Sequence, residues 1–111
     1  MKHTEIAAIM QQIEDAGIPV TYWSWTEEEV PPLPYAIYLF TDTQPEAASD
    51  TIHTQLTTIS IELYTITKDL SAEAIVDGIL KANDIVFRKS SLFLQSESMV
   101  QTLYTFMEVL E

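Results

Sequence analysis

The sequence predicts an α+β fold, with elements in the order αβββαββ and a single domain spanning residues 1–111. Two segments carry apolar residues at helical spacing, and five others carry the alternating or continuous apolar runs that are typical of strands. A chain of 111 residues has room for one core. The economical arrangement is an antiparallel-rich sheet with both helices packed on one face.

The two helices are predicted by apolar residues at positions i, i+3, i+4 and i+7. The first spans about residues 3–16 and ends at Gly17, where a left-handed cap is expected. The second begins after Ser71 as its N-cap and ends near Asn83. Because Gly78 weakens the interior of this helix, we expect helix and sheet to approach closely there. The apolar stripes are Ile6, Ile9, Met10 and Ile13 in the first helix and Ile75, Val76, Ile79 and Leu80 in the second.

The five strands are predicted from β-branched, aromatic and alternating residues. In the clearest of them, Ile59, Ile61 and Leu63 alternate with polar residues, so one face is expected to be buried. The turn-forming residues from Asp42 to Thr51 predict a loop that is mobile in an isolated subunit and ordered against a neighbour. The predicted strands cover residues 20–25, 35–40, 54–67, 85–94 and 99–109.

Charge and cysteine content exclude several classes of function. Five Lys and Arg residues against 17 Asp and Glu residues give a net charge of −12, which argues against a nucleic-acid groove and against an anionic membrane surface. Without cysteine, the chain can form neither a disulfide nor a thiolate metal site. No apolar run reaches the ~18 residues of a membrane span, and the start of the chain does not resemble a signal peptide, so a cytoplasmic location is expected.

The sequence offers no arrangement of residues that is typical of an active site. His3 and His53 stand alone, without the spacing of a metal site or a catalytic pair, and two isolated glycines cannot form a phosphate-binding loop. Glu62 lies in the middle of a strand and is either half-buried, as a catalytic acid often is, or placed on a wet sheet face. We therefore expect no catalytic residues, no cofactor, no metal site and no enzymatic activity.

Two tryptophans near the first strand form a candidate binding platform. Trp23 and Trp25 are predicted to share one face of this strand, with Tyr22 on the other. Such a face suits either stacking against a sugar or a base, or packing within the core or a subunit contact. The shortage of cations argues against nucleic acid as the stacking partner.

Three short motifs resemble those of the small tail-completion proteins of long-tailed phages and prophages, which are tail-terminator and head–tail joining proteins. The first motif is a Pro-Tyr entry to a strand with a second tyrosine, the second is a strand exit, and the third is a closing pattern. Their residues are Pro34, Tyr35 and Tyr38, then Glu62, Leu63, Tyr64 and Thr65 with Lys68 and Asp69, and finally Glu97, Met99, Gln101, Tyr104 and Phe106. The resemblance extends over about residues 1 to 110.

This resemblance implies an α+β protein without catalytic residues that forms a ring, usually a hexamer, at the head-proximal end of the tail. The implied partners are further copies of the chain, the tail tube and the head–neck proteins. The implied location is the cytoplasm of the bacterial host during assembly and the virion tail or neck afterwards. Open sheet edges suit such a repeating subunit, and an acidic lumen would keep DNA from adhering as it passes.

Scarce cations indicate where neighbouring subunits of such a ring could meet. A head-to-tail ring joins two different patches of the same protein. Two of the five cations are adjacent, and the longest acidic run lies in a different loop, so we expect these clusters to face each other across the contact. The alternative is that both clusters are simply solvated. The residues expected at this interface are Arg88, Lys89, Trp25, Glu27, Glu28 and Glu29.

The composition leaves a second function open. A small acidic monomer could serve as a binding module, for example as a DNA mimic that inhibits a basic protein. Such a mimic displays its carboxylates in two duplex-like rows, whereas the acids here are scattered apart from one run of three. The mass in solution separates the two functions, because the tail protein forms a ring and the mimic stays a monomer.

Overall fold

The computed structural model describes residues 1–45 and 55–110, which form two helices and one five-stranded sheet. Their order along the chain confirms the predicted α+β fold and the αβββαββ sequence of elements. The helices are α1 (His3–Asp15) and α2 (Leu70–Ala82). The strands are β1 (Val20–Tyr22), β2 (Tyr35–Pro45), β3 (Gln55–Thr65), β4 (Arg88–Leu94) and β5 (Met99–Leu110).

The sheet places β3 at its centre and leaves β1 and β4 at its two edges. The strand order is β1-β2-β3-β5-β4. β1 runs parallel to β2, and the other three neighbouring pairs are antiparallel, so the sheet is antiparallel-rich as predicted. Residues of one row can be followed from edge to edge: Lys89 of β4 lies beside Tyr104, then Ile61, Tyr38 and finally Tyr22 of β1.

One cluster of buried side chains joins both helices to the sheet. We call the sheet face that contributes to this cluster the core face, and the opposite one, which carries Glu62 and Tyr64, the second face. That both helices cover the core face alone stays a prediction. The fully buried members of the cluster include Ile6 and Ile13 of α1, Val76 and Leu80 of α2, Ile59, Ile61 and Leu63 of β3, and Tyr104 of β5.

The helix ends differ from prediction at α2. Its N-cap is Asp69 rather than Ser71, because the Asp69 carboxylate accepts a hydrogen bond of 3.0 Å from the backbone N–H of Ala72. The predicted close approach at Gly78 is wrong, since a Cβ at this position would meet no other group within 4 Å. Gly17 does adopt a positive φ, of 106°, just after α1, as the predicted cap requires.

The buried face of α2 is also rotated relative to prediction. Ile75 and Ile79 are only partly buried, whereas Ala72 and Glu73 are buried. The rotation brings an acidic side chain, Glu73, into contact with β4. The spacing of apolar residues alone could not predict that the charged residue Glu73 lies on the buried face of α2.

The strand ends show three further differences. β1 stops at Tyr22 rather than residue 25, because Trp23 has a φ of 71° and turns the chain. β4 begins at Arg88 rather than residue 85, and Ile85 instead packs into the core from the preceding loop. β2 continues through the first part of the predicted loop to Pro45. The remainder of that loop, up to Thr51, lies outside the described residues.

Candidate interaction surfaces

An ionic cluster links α2 to the edge strand β4. The Nζ of Lys89 lies 2.9 Å from Oε1 of Glu73 and 2.9 Å from Oδ2 of Asp77. Lys68 approaches the same glutamate from the other side, with its Nζ 2.8 Å from Oε2, and it also donates a hydrogen bond of 3.0 Å to Ser91 of β4. Glu73 is almost fully buried, so the two lysines compensate a carboxylate that water does not reach.

The pKa values in this cluster follow from the competition between burial and ion pairing. Burial by itself would raise the pKa of Glu73, but the hydrogen bonds and charges of Lys68 and Lys89 outweigh it and hold the pKa below its ordinary value. Burial opposes the charge of Lys89 as well, yet Glu73 and Asp77 raise the pKa of Lys89 above its ordinary value. Burial and the neighbouring Asp77 raise the pKa of Tyr104, whose ring lies beneath Lys89.

Arg88 and Lys89, the predicted basic pair, point to opposite faces of the sheet. Adjacent residues of a strand alternate, so Lys89 shares the core face with Tyr104 while Arg88 shares the second face with Thr105. Arg88 lines a shallow cleft with Ser90 and makes no ion pair within the described part of the chain. Lys89 is therefore used inside the subunit, and Arg88 is the cation of this pair that is available to a neighbour.

The predicted acidic partner lies in the segment that connects β1 to β2. Glu27, Glu28 and Glu29 form an exposed turn, closed by a hydrogen bond of 3.0 Å from the N–H of Glu29 to the carbonyl of Thr26. Trp25, just before it, is half-buried, and its ring meets that of Tyr35 edge to face with centroids 6.2 Å apart. Contact between this turn and the β4 edge of another subunit stays a prediction.

The two tryptophans do not form the predicted shared platform. Trp23 follows the end of β1, is 59% exposed, and donates its backbone N–H to the carbonyl of Tyr38 at 2.9 Å. Trp25 instead lies over the second face of the sheet, where it lines a cleft of about 300 Å³ with Tyr35 and Tyr64. The turn at Trp23 separates the two tryptophans. The prediction assumed that the strand continues to Trp25, with side chains alternating between its two faces, and so could not show this turn.

Three side chains on the second face are joined by hydrogen bonds beside this cleft. The hydroxyl of Tyr64 donates to Oε1 of Glu62 at 2.7 Å and accepts from Nε2 of Gln101 at 3.0 Å. Burial, followed by the hydrogen bond to Glu62, raises the pKa of Tyr64 to about 12. A phenol that keeps its proton here acts as a fixed hydrogen-bonding group in the sheet and not as an acid or base near neutral pH.

The histidines and acids form no metal centre in the part of the chain that the structure describes. His3 packs edge-on against Phe40, with ring centroids 5.3 Å apart, and His53 lies outside the described residues. Within residues 1–45 and 55–110, no three His, Asp or Glu side chains are grouped so that they could hold a metal ion. Over the same ranges, neither helix is long and apolar enough to cross a membrane.

The two sheet edges differ in their exposure. All of β4 except Leu94 is exposed, including Leu92 and Phe93, and the strand gives no residue to the core cluster. At the opposite edge, Tyr22 and Trp23 are about half exposed beside the short β1. At the β1 edge, Glu14 accepts a hydrogen bond from the backbone N–H of Val20, and the carbonyl of Tyr22 accepts one from the N–H of Ser24, so part of this edge is already occupied.

Neither known protein families nor curated proteins provide a relative of this chain. No protein-family model matches the chain, and no curated protein matches it significantly. Its function must therefore be argued from its own residues and surfaces.

Proposed function

We propose that this chain is a structural subunit of a phage or prophage tail, without catalytic activity, that forms a ring at the head-proximal end of the tail. It acts there as a tail terminator or head–tail joining protein and contacts tail-tube and head–neck proteins. The subunit assembles in the host cytoplasm and remains in the virion. The short motifs around Pro34, Glu62 and Glu97 support this assignment by their resemblance to that family.

The single structural observation that supports a ring is that a basic and an acidic patch lie on different segments of one subunit. Arg88 lies on the edge strand β4, whereas the exposed turn Glu27–Glu29 lies in the segment that connects β1 to β2. Two different and complementary patches on one subunit are what a closed head-to-tail ring requires. The net charge of −12 further suits a ring through which DNA passes without adhering.

Mass in solution tests the proposal directly. Native mass spectrometry of the purified full chain over a wide concentration range should give one closed multimer, and negative-stain electron microscopy should show rings with a central opening. A monomer at every concentration would contradict the proposed function. A monomer that also binds an immobilised basic protein would instead support the acidic binding module.

Reversing the charge at Arg88 should weaken this assembly. Arg88→Glu places a carboxylate opposite the acidic turn. Exposed ion pairs contribute only about 0–1 kcal/mol each. Because salt screens charges at the surface, the loss of assembly should be largest at low ionic strength. Adding Glu28→Lys should partly restore the multimer. Lys89 is left unchanged, since its substitution would break the ionic cluster with Glu73 inside the subunit.

Two control variants separate this contact from general effects of charge. Lys81→Glu makes the same charge change at the end of α2 and should leave the multimer intact. Glu62→Gln alters the hydrogen bond to Tyr64 on the second face and should also leave assembly intact. If Arg88→Glu assembles like the unmodified chain at low salt, Arg88 takes no part in the contact.

A further inference from the structure

An aromatic cleft opens on the second face of the sheet, between the segment that connects β1 to β2 and the ends of four strands. Three partly buried rings line it, those of Trp25, Tyr35 and Tyr64. The ring of Tyr35 meets both of the others, with its centroid 6.2 Å from that of Trp25 and 5.4 Å from that of Tyr64. Apolar side chains of β2, β4 and β5 complete the walls. The rings are therefore supported by their neighbours and still accessible to a ligand.

Carboxylates give the aromatic cleft its charge. Among the described residues that line it, Glu97 alone is charged, and this side chain is exposed in the turn between β4 and β5. A second carboxylate lies next to the cleft, because Glu62 accepts the hydrogen bond of 2.7 Å from the hydroxyl of Tyr64. Donation to a carboxylate also polarises the phenol and enriches its ring in electrons. The cleft therefore combines electron-rich rings with negative charge.

The subunit supplies no cation of its own to this cleft. Lys68 and Lys89 are bound to Glu73 in the ionic cluster. Arg88 is on the second face but six residues before Leu94 along β4, which separates it from the cleft by roughly 20 Å. The other two cations of the chain lie at helix ends, and none of the five, all of them in described residues, lines the cleft. Its charge is thus left for a ligand from outside the subunit.

We propose that the aromatic cleft binds an arginine side chain of a partner protein, with the guanidinium stacked on the rings and hydrogen-bonded to Glu97. Faces of Trp and Tyr rings attract a cation, and a carboxylate accepts its hydrogen bonds. A planar guanidinium makes both contacts at once, whereas an ammonium is a strongly hydrated point charge. A volume of about 300 Å³ is at the lower end of ligand pockets and suits a single side chain. This inference does not depend on the proposed ring.

Fluorescence makes binding to this cleft measurable, because the chain has only two tryptophans. Trp23 is 59% exposed after the end of β1 and does not line the cleft. In the variant Trp23→Phe, tryptophan emission therefore comes from Trp25 alone. Titration of this variant with the capped peptide acetyl-Gly-Arg-Gly-amide should change the emission until it saturates. The apparent affinity should fall as salt is added, since part of the attraction is electrostatic.

The matched control ligand is the same peptide with citrulline in place of arginine. Citrulline has nearly the shape of arginine but no charge, so it loses the attraction of the rings and the carboxylate for a cation, and we expect it to bind at least about fivefold more weakly. The peptide with lysine should also bind more weakly, because an ammonium does not stack as a plane on a ring. Equal binding of the citrulline peptide would overturn the cation site, and equal binding of the lysine peptide would overturn the assignment to arginine.

A change at Glu97 tests the role of its carboxylate. Glu97→Gln, made in the Trp23→Phe protein, should weaken binding of the arginine peptide about two- to fivefold. Glu5→Gln is the control, since it makes the same charge change at an exposed position in the first turn of α1 and should leave the affinity unchanged. Equal effects of the two variants, or an emission that never saturates with the arginine peptide, would overturn the proposed site. The ring is measured by mass in solution, so such a result would leave the proposed function standing.

Discussion

Replacing Ile61 by alanine is expected to lower the free energy of unfolding by about 2–5 kcal/mol. Ile61 is fully buried in β3, where its neighbours across the sheet are Tyr38 of β2 and Tyr104 of β5. Alanine removes most of this buried side chain and leaves a cavity that the surrounding residues fill only in part. Urea unfolding of both proteins at the same protein concentration, with an unchanged m value, measures the loss.

The control for this experiment is Val86→Ala. Val86 is 92% exposed in the loop before β4, so its loss should change the free energy of unfolding by less than about 0.5 kcal/mol. A similarly small effect of Ile61→Ala would mean that Ile61 does not lie on the core face. The same comparison would then place the even-numbered residues of β3 against the helices.

Both helices could be located from the sequence, and the buried faces of α1 and β3 could be predicted as well, because each of these two elements buries one regular face. Ile6 and Ile13 are fully buried at helical spacing, and Ile59 and Leu63 are fully buried at strand spacing. A period of 3.6 or 2 in the chain therefore corresponds directly to a surface that packs against the core. Such patterns are local, and no knowledge of the rest of the fold is needed to interpret them.

The ends of β1 and β4 could not be predicted in this way. Aromatic and β-branched residues continue past Tyr22 and precede Arg88, yet they belong to loops. Some of them, such as Trp25 and Phe87, pack onto the sheet, whereas Val86 is exposed. Trp25 meets Tyr35 across the second face, and Phe87 meets Tyr104 with ring centroids 5.4 Å apart. An apolar residue gains the same burial from a strand or from a loop that covers a sheet, so composition does not separate the two.

The ionic cluster was missed for a different reason. Glu73 and Asp77 lie four residues apart in α2 and so share one helix face, which is visible in the sequence. What they meet depends on the strand order, which places β4 at the edge beyond β5. The sequence suggested that Lys89 faces another subunit, whereas in the fold it is bound to Glu73 and Asp77 of its own chain.

Replacing Glu73 by glutamine is expected to lower the free energy of unfolding by about 1–3 kcal/mol at neutral pH. The change keeps the size of the side chain but removes the charge that Lys68 and Lys89 share. Removing one partner of a buried ion pair is usually more costly, but both lysines are partly exposed and can return to water. Urea unfolding of the variant and the unmodified chain over a range of pH measures the difference.

The pH dependence distinguishes a charge effect from a packing effect. Because the pKa of Glu73 is lowered in the folded state, its stabilisation is present above the ordinary pKa of 4.5 and disappears as the pH falls through the lower folded value. The raised pKa of Lys89 extends the same contribution upward, and it is lost only as the pH rises above the ordinary value of 10.5. The destabilisation by Glu73→Gln should therefore be largest between these limits and shrink in acid. A loss that is equal in acid and at neutral pH would show that Glu73 stabilises β4 by packing and not by its charge.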